Sequence, residues 1–160
     1  NRERFTGFNS NVKEAARFEI EHACNDRSRK LLARGVVVLD GSLKLGSMTV
    51  MLKKPLKLFI KEGSIAEIKG KYGHEFLEVI NSAFESCRHP DVKRVAELGI
   101  GLNPNATMIG STVVNEKVLG TAHIAIGANT SFGGRVNVPL HIDQVFTDPI
   151  IRIDGKVLPV

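Results

Sequence analysis

The sequence predicts an α+β fold with a mostly antiparallel sheet, open or barrel-like, and two main helices. Three observations predict it. Helical spacing is confined to two stretches, 11–34 and 73–87. Elsewhere short β-branched runs are set between turn residues such as Asp40-Gly41 and Asp154-Gly155. The order is helix, strands, helix, strands, rather than the regular alternation of a parallel βαβ sheet. At 160 residues the chain is expected to form a single domain, 1–160, led by a helical N-terminal segment, 1–34.

Residues 1–10 are polar and weakly patterned. From 11 to 34 the residues Val12, Ala15, Ala16, Phe18, Ile20, Ala23, Leu31 and Leu32 recur at three to four, without Pro or Gly. They are read as helix, with Asn25-Asp26 as a break point. Val36–Leu39 is a strand ending at Asp40-Gly41, and Ser47–Leu52 alternates weakly. Leu56–Ile60 and Ser64–Lys69 flank Lys61-Glu62-Gly63, a hairpin signal. Over 73–87, Phe76, Leu77, Val79, Ile80 and Phe84 fall on one helical face, and Pro90 closes the segment. Val95–Leu102 is strand-like and stops at Asn103-Pro104-Asn105. Val118–Ile126 is strand-like, Gly127–Gly134 is a loop, Val136–Phe146 alternates, and Ile150–Asp154 leads into the Asp154-Gly155 turn.

Composition excludes several classes. The longest apolar runs, such as Gly35–Leu39, are about five residues, against ~20 for a membrane helix. Charge runs throughout the first 35 residues, so no secretory leader is expected and a cytoplasmic location is. Cys24 and Cys87 are far apart with no CxxC, which argues against a disulfide framework and a thiolate zinc site. The net charge of +5 resides in residues 1–94, with 18 Lys/Arg against 12 Asp/Glu; residues 95–160 carry 4 against 5. With no Trp and a single Tyr, a nucleic-acid partner is not expected. The clusters Arg27–Lys30 and Lys53–Lys57 are read as solvated faces.

The chemistry is concentrated in the second half. In His141-Ile142-Asp143 the period of a strand puts an imidazole and a carboxylate on one face and Ile142 on the other. His123 lies in the apolar run Thr121–Gly127. If the loop through Gly133-Gly134 folds back tightly beside the histidines, His123 reaches a neighbouring strand and joins His141 and Asp143. Two histidines and a carboxylate then face one ion, with the opposite positions open for water or substrate. Glu97 and Glu116 are the nearby acids, each a candidate second metal ligand, general base or partner that orients a histidine. The alternatives are a solvated loop position for Glu116 and an ion pair to Arg94 or Lys93 for Glu97. Because Glu97 sits in an apolar, glycine-bounded strand, it is expected to be buried or to line a pocket. No phosphate loop, GxSxG or HExxH is present. His22, His74 and His89 stand in polar contexts.

Taken together, Ala96–Pro104, Asn115–Gly127, Phe132-Gly133-Gly134, His141-Ile142-Asp143 and Asp154-Gly155 resemble the C-terminal part of the aminopeptidase T family of metallopeptidases. The resemblance covers roughly 35–160, and the same superfamily includes proteins similar to 2,5-dihydroxypyridine dioxygenase. It implies that His123, His141 and Asp143 are metal ligands in both branches, and that Glu97 is an acidic ligand of the peptidase branch. The peptidase tyrosine falls on Thr130 here. It also implies a large N-terminal α/β domain in family members, and copies that pair.

The expected function is therefore a metal-dependent, aminopeptidase-like hydrolase. It would use zinc, cobalt or manganese at His123, His141, Asp143 and Glu97, with Glu97 or Glu116 as base, and act on small peptides. The alternative is a non-haem Fe(II) ring-cleaving dioxygenase acting on a small hydroxylated ring. A second alternative is a binding or assembly domain without activity.

Overall fold

The structure, a computed structural model, describes residues 2–9, 16–23, 32–153 and 156–158. These residues form two antiparallel sheets and two α-helices. The strands are β1 (Arg2–Asn9), β2 (Ala16–Ala23), β3 (Leu32–Leu39), β4 (Ser42–Leu45), β5 (Met48–Met51), β6 (Leu56–Lys61), β7 (Ser64–Lys69), β8 (Val95–Ile100), β9 (Thr121–Gly127), β10 (His141–Thr147), β11 (Pro149–Ile153) and β12 (Lys156–Leu158). The helices are α1 (Gly73–Cys87) and the single turn α2 (Thr112–Asn115). One sheet has the order β12-β11-β1-β2-β3-β6-β7 and the other β5-β4-β10-β9-β8. Each order has two ends, so neither sheet closes into a barrel, and the α+β, mostly antiparallel class holds.

The N-terminal reading is corrected. Instead of a helix over 11–34, the structure has β2 and the start of β3, paired antiparallel from Phe18↔Gly35 to Glu21↔Leu32. The polar residues 2–9 are also a strand, paired with both β2 and β11. The physical reason lies in the period. Phe18 and Ile20 alternate with Arg17, Glu19 and Glu21, and two long-range partners can satisfy that alternation where a lone helix cannot. Asn25-Asp26, Arg27–Lys30 and Cys24 lie outside the described residues.

Other elements follow local chemistry. Glu62 and Gly63 both have positive φ, 52° and 77°, and join Lys61 to Ser64 in a two-residue hairpin turn. The strand over 56–60 alternates buried and half-buried positions as predicted. Asp40-Gly41 is not a hairpin. It carries the chain from the first sheet to the second, held where Thr147 N donates to Asp40 Oδ1 at 2.8 Å and Gly41 N to the Val145 carbonyl at 3.2 Å. The strand read over 136–146 starts only at His141, because Pro139 lacks an N–H and Val136 N donates to the Asn129 side chain at 3.0 Å. The strand read from Val118 begins at Thr121.

Helix α1 matches its expected span. It buries Phe76, Ile80 and Ala83, while Leu77 faces outward. Arg88 ends it in the left-handed conformation, with its N–H donating to the Phe84 carbonyl. The core takes side chains from both sheets and α1, including Leu39, Leu58, Leu43, Ile124, Ile126 and Phe76, all essentially fully buried. Ile124, Ile126 and Ile142 belong to this core, so alternate residues of β9 and β10 must face the other way. All seven β9 positions are buried, because its second face is also covered. Among the described residues no helix is long and apolar enough to cross a membrane.

Candidate metal centre

The covered second face is where the chemistry gathers. β9 and β10 are antiparallel with His123 opposite Val145, Asp143 opposite Ala125 and His141 opposite Gly127. Period two then places His123, His141 and Asp143 on one face. On the other side of β9, β8 sets Gly99 opposite His123 and Glu97 opposite Ala125, adding Glu97 to that face.

The side chains converge. His123 Nε2 lies 3.3 Å from Glu97 Oε1 and 4.0 Å from Asp143 Oδ1. His141 Nε2 lies 3.4 Å from Asp143 Oδ1 and 3.5 Å from Glu97 Oε2. Ligand atoms of Glu97, His123 and Asp143 all fall within 4.8 Å of one another. His123 is buried, Glu97 and Asp143 are about one-fifth exposed, and His141 is about one-third exposed. Glu97 was expected to be buried or to line a pocket, and it is largely buried against the two histidines rather than facing bulk water. The ion pair of Arg94 goes to Asp91, at 2.8 Å, rather than to Glu97.

Space and orientation are built in. A Cβ at Gly99 would stand 2.0 Å from the His123 ring carbon Cε1 and 2.3 Å from Nε2, so only glycine leaves room for this imidazole. His141 Nδ1 donates to the Ala128 carbonyl at 2.7 Å, which aims Nε2 at the two carboxylates. The Gly127–Gly134 loop makes this contact possible. Thr130–Phe132 forms a 3-10 turn closed by Gly133 at φ 78°, and the Phe132 ring sits 6.0 Å from that of His141. Asn129, missed in the sequence reading, pins the loop from inside. Its Nδ2 donates to the Ala96 carbonyl at 3.2 Å, its Oδ1 accepts from Val136 N, and Gly134 packs directly on its amide.

Glu116 is not a solvated loop residue. It caps α2, is buried, and pairs with Lys117 Nζ at 2.8 Å. It lies close enough to Asp143 to influence its carboxyl. His74 and His89 are exposed, as their context suggested. Thr130 is exposed as well.

Charge in the cluster is strongly coupled. The hydrogen bond that His141 donates to Asp143 raises His141 to about 9 against the opposition of burial, helped by the Ala128 carbonyl and the charges of Asp143 and Glu97. Burial pushes the Asp143 carboxyl up, but the His141 hydrogen bond and the charges of His141 and His123 outweigh it and hold it below the ordinary carboxylate value. Lys117 is raised, first by its hydrogen bond to Glu116.

Some polarity is left unanswered. Glu97 Oε2, Glu116 Oε2 and His123 Nδ1 are buried without a hydrogen-bond partner. Buried acceptors without partners are costly, and carboxylates facing imidazoles across 3–4 Å are the donor chemistry of a divalent cation. The residues present therefore fit a metal ion.

A protein-family model described as "NicX: 2,5-dihydroxypyridine 5,6-dioxygenase" matches residues 21–159. A solved structure titled as a 2,5-dihydroxypyridine dioxygenase from Pseudomonas putida KT2440 is similar in fold, with a TM-score of 0.63 and 23% identity. The match covers 90% of this chain and 41% of that one, so the chain spans less than half the length of the solved relative. No curated protein matches. These findings overturn the aminopeptidase-like hydrolase expected from the motifs, since the matching family is a dioxygenase and neither match is to a peptidase. The zinc, cobalt or manganese of a peptidase finds no support either. The physical reason is that two histidines and an aspartate suit either chemistry, while Thr130 stands where the peptidase tyrosine was expected.

Proposed function

The chain belongs to the NicX family of 2,5-dihydroxypyridine 5,6-dioxygenases, and on that premise we propose that it carries the iron-binding part of a ring-cleaving dioxygenase. Its substrate is a small hydroxylated aromatic ring. The observation that carries the reading is the gathering on one sheet face of Glu97, His123 and Asp143, with ligand atoms within 4.8 Å of one another, and of His141, whose Nε2 lies 3.4 Å from Asp143 and 3.5 Å from Glu97. His123, His141 and Asp143 would hold Fe(II) as a two-histidine, one-carboxylate set, with Glu97 beside them. Fe(II) bound there supplies the redox chemistry by which dioxygen reacts with an electron-rich ring.

The chain's own groups do the rest. The Ala128 carbonyl holds the proton on His141 Nδ1 and leaves Nε2 free to ligate. Gly99 leaves room for the His123 ring, and Glu97 Oε1 lies 3.3 Å from its Nε2, beside where the ion would sit. Glu116, buried and paired with Lys117, sets a further carboxylate near Asp143. Phe132, two-thirds exposed beside His141, offers an aromatic face at the rim.

The test is oxygen uptake by the chain, loaded anaerobically with Fe(II) and then given air and 2,5-dihydroxypyridine. The reading predicts uptake that needs both iron and the dihydroxylated ring, and that is lost in Asp143→Ala. Equal uptake without the ring, or in the variant, contradicts it.

A further inference from the structure

A cavity of about 400 Å³ opens beside the candidate metal centre, within the range of small-molecule pockets. His141 and Asp143 line it, with Lys44 and Thr49 from the β4–β5 hairpin and Ser111 and Thr112 at the start of α2. Among the described residues, Lys44 is the one lysine or arginine in its lining.

Lys44 is held as a binding group is held. Its backbone N–H donates to Gln144 Oε1 at 2.9 Å, and Gln144 Nε2 donates back to its carbonyl at 3.3 Å. Gln144 is fully buried in β10, the strand that carries His141 and Asp143, so the lysine and the ligands share one rigid base. Lys44 Nζ donates to the Ser47 carbonyl at 3.2 Å. An ammonium has three N–H donors, so two are left over. The hairpin and the start of α2 are tied together by the contact between the Thr49 and Thr112 hydroxyls at 2.8 Å. The lining thus combines His141 and Asp143 of the candidate metal centre, one ammonium and neutral hydroxyls.

We propose that this cavity is the substrate subsite and that Lys44 pairs with a carboxylate on the aromatic ring, making the preferred substrate a hydroxylated aromatic acid. The proposal rests on the dioxygenase reading for the hydroxyl end of the ligand. The carboxylate end stands on the cavity itself. A ring whose hydroxyls face His141 and Asp143 shares the cavity with the Lys44 ammonium, the one cationic partner there for a carboxylate on the ring. An anion is disfavoured at the carboxylate end and favoured at Lys44, so the charge sets the orientation of the ring.

Binding of 2,5-dihydroxybenzoate and of hydroquinone, which lacks the carboxylate, measured by calorimetry on the metal-free protein and on the Fe(II)-loaded protein without oxygen, tests this. The wild type should favour the acid by roughly tenfold or more, the effect of one charge-assisted contact. Lys44→Gln should bring the two ligands level, Lys44→Arg should retain the preference, and Fe(II) uptake should be unchanged in both. Equal affinities in the wild type, a preference that survives Lys44→Gln, or no binding of either ring overturns the proposal. A wild type that takes up no iron but still prefers the acid contradicts the dioxygenase reading and leaves the lysine subsite standing.

Discussion

Replacing Gly99 by alanine perturbs the metal centre through a single methyl group. The added Cβ would lie 2.0 Å from His123 Cε1, while ordinary contact begins at 3.4 Å, so the ring must retreat by about 1.4 Å. It has little room to do so, because β9 is buried along its whole length. Overpacking of this kind costs about 1–3 kcal/mol, equivalent to a fall in Tm of about 2–12 °C at this chain length. The larger effect falls on the ligand set. Sites work only within roughly 0.5 Å of their geometry, so Fe(II) affinity should fall by roughly 10–100-fold, as when a ligand's support is removed. Gly110→Ala is the control, since nothing lies within 4 Å of its Cβ. Anaerobic Fe(II) titration and thermal melting read both effects. A Gly99→Ala protein with wild-type affinity and Tm would refute the close approach of β8 to His123.

Three further outcomes are expected. Asn129→Ala removes the bridge from Ala96 to Val136 and should cost about 1–3 kcal/mol, seen as a lower urea midpoint; an unchanged midpoint counts against the bracket. Glu97→Gln should weaken Fe(II) binding by roughly tenfold, measured by the same titration, and full affinity would remove Glu97 from the centre. In the metal-free protein, His141 is raised to about 9. Its contribution to stability is therefore fully present below its ordinary value of 6.5 and is lost as pH rises through about 9. The depressed Asp143 acts in the opposite sense, its contribution present above 3.8 and lost as pH falls through its lowered value. Melting curves across pH should show both limbs, and in His141→Ala the loss between 6.5 and 9 should disappear.

What the sequence revealed was set by the range of the interactions. Helix α1 and the Glu62-Gly63 hairpin were legible because spacing and turn chemistry act within a few residues. The shared face of His141 and Asp143 followed from strand period alone, and the return of His123 from the glycine loop. Strand β2 was misread because Ala15, Ala16 and Ala23 fill out a helical spacing, while its partners β1 and β3 are fixed only by the fold. The register that puts Gly99 against His123 is also non-local. So is the pairing of Lys44 with Gln144, the neighbour of Asp143 on β10, across a sequence separation of 100 residues. Reaction type was illegible for a different reason: the donor set is common to hydrolytic and oxidative sites.

The most direct measurement of the central claim is the stoichiometry of Fe(II) bound anaerobically to the wild type and to His123→Ala, His141→Ala and Asp143→Ala, with circular dichroism to show that each is folded. One ion per chain in the wild type, and saturable binding lost in all three folded variants, is the predicted result. A wild type that binds no iron, or variants that keep their full complement, would contradict a single iron centre built from these side chains.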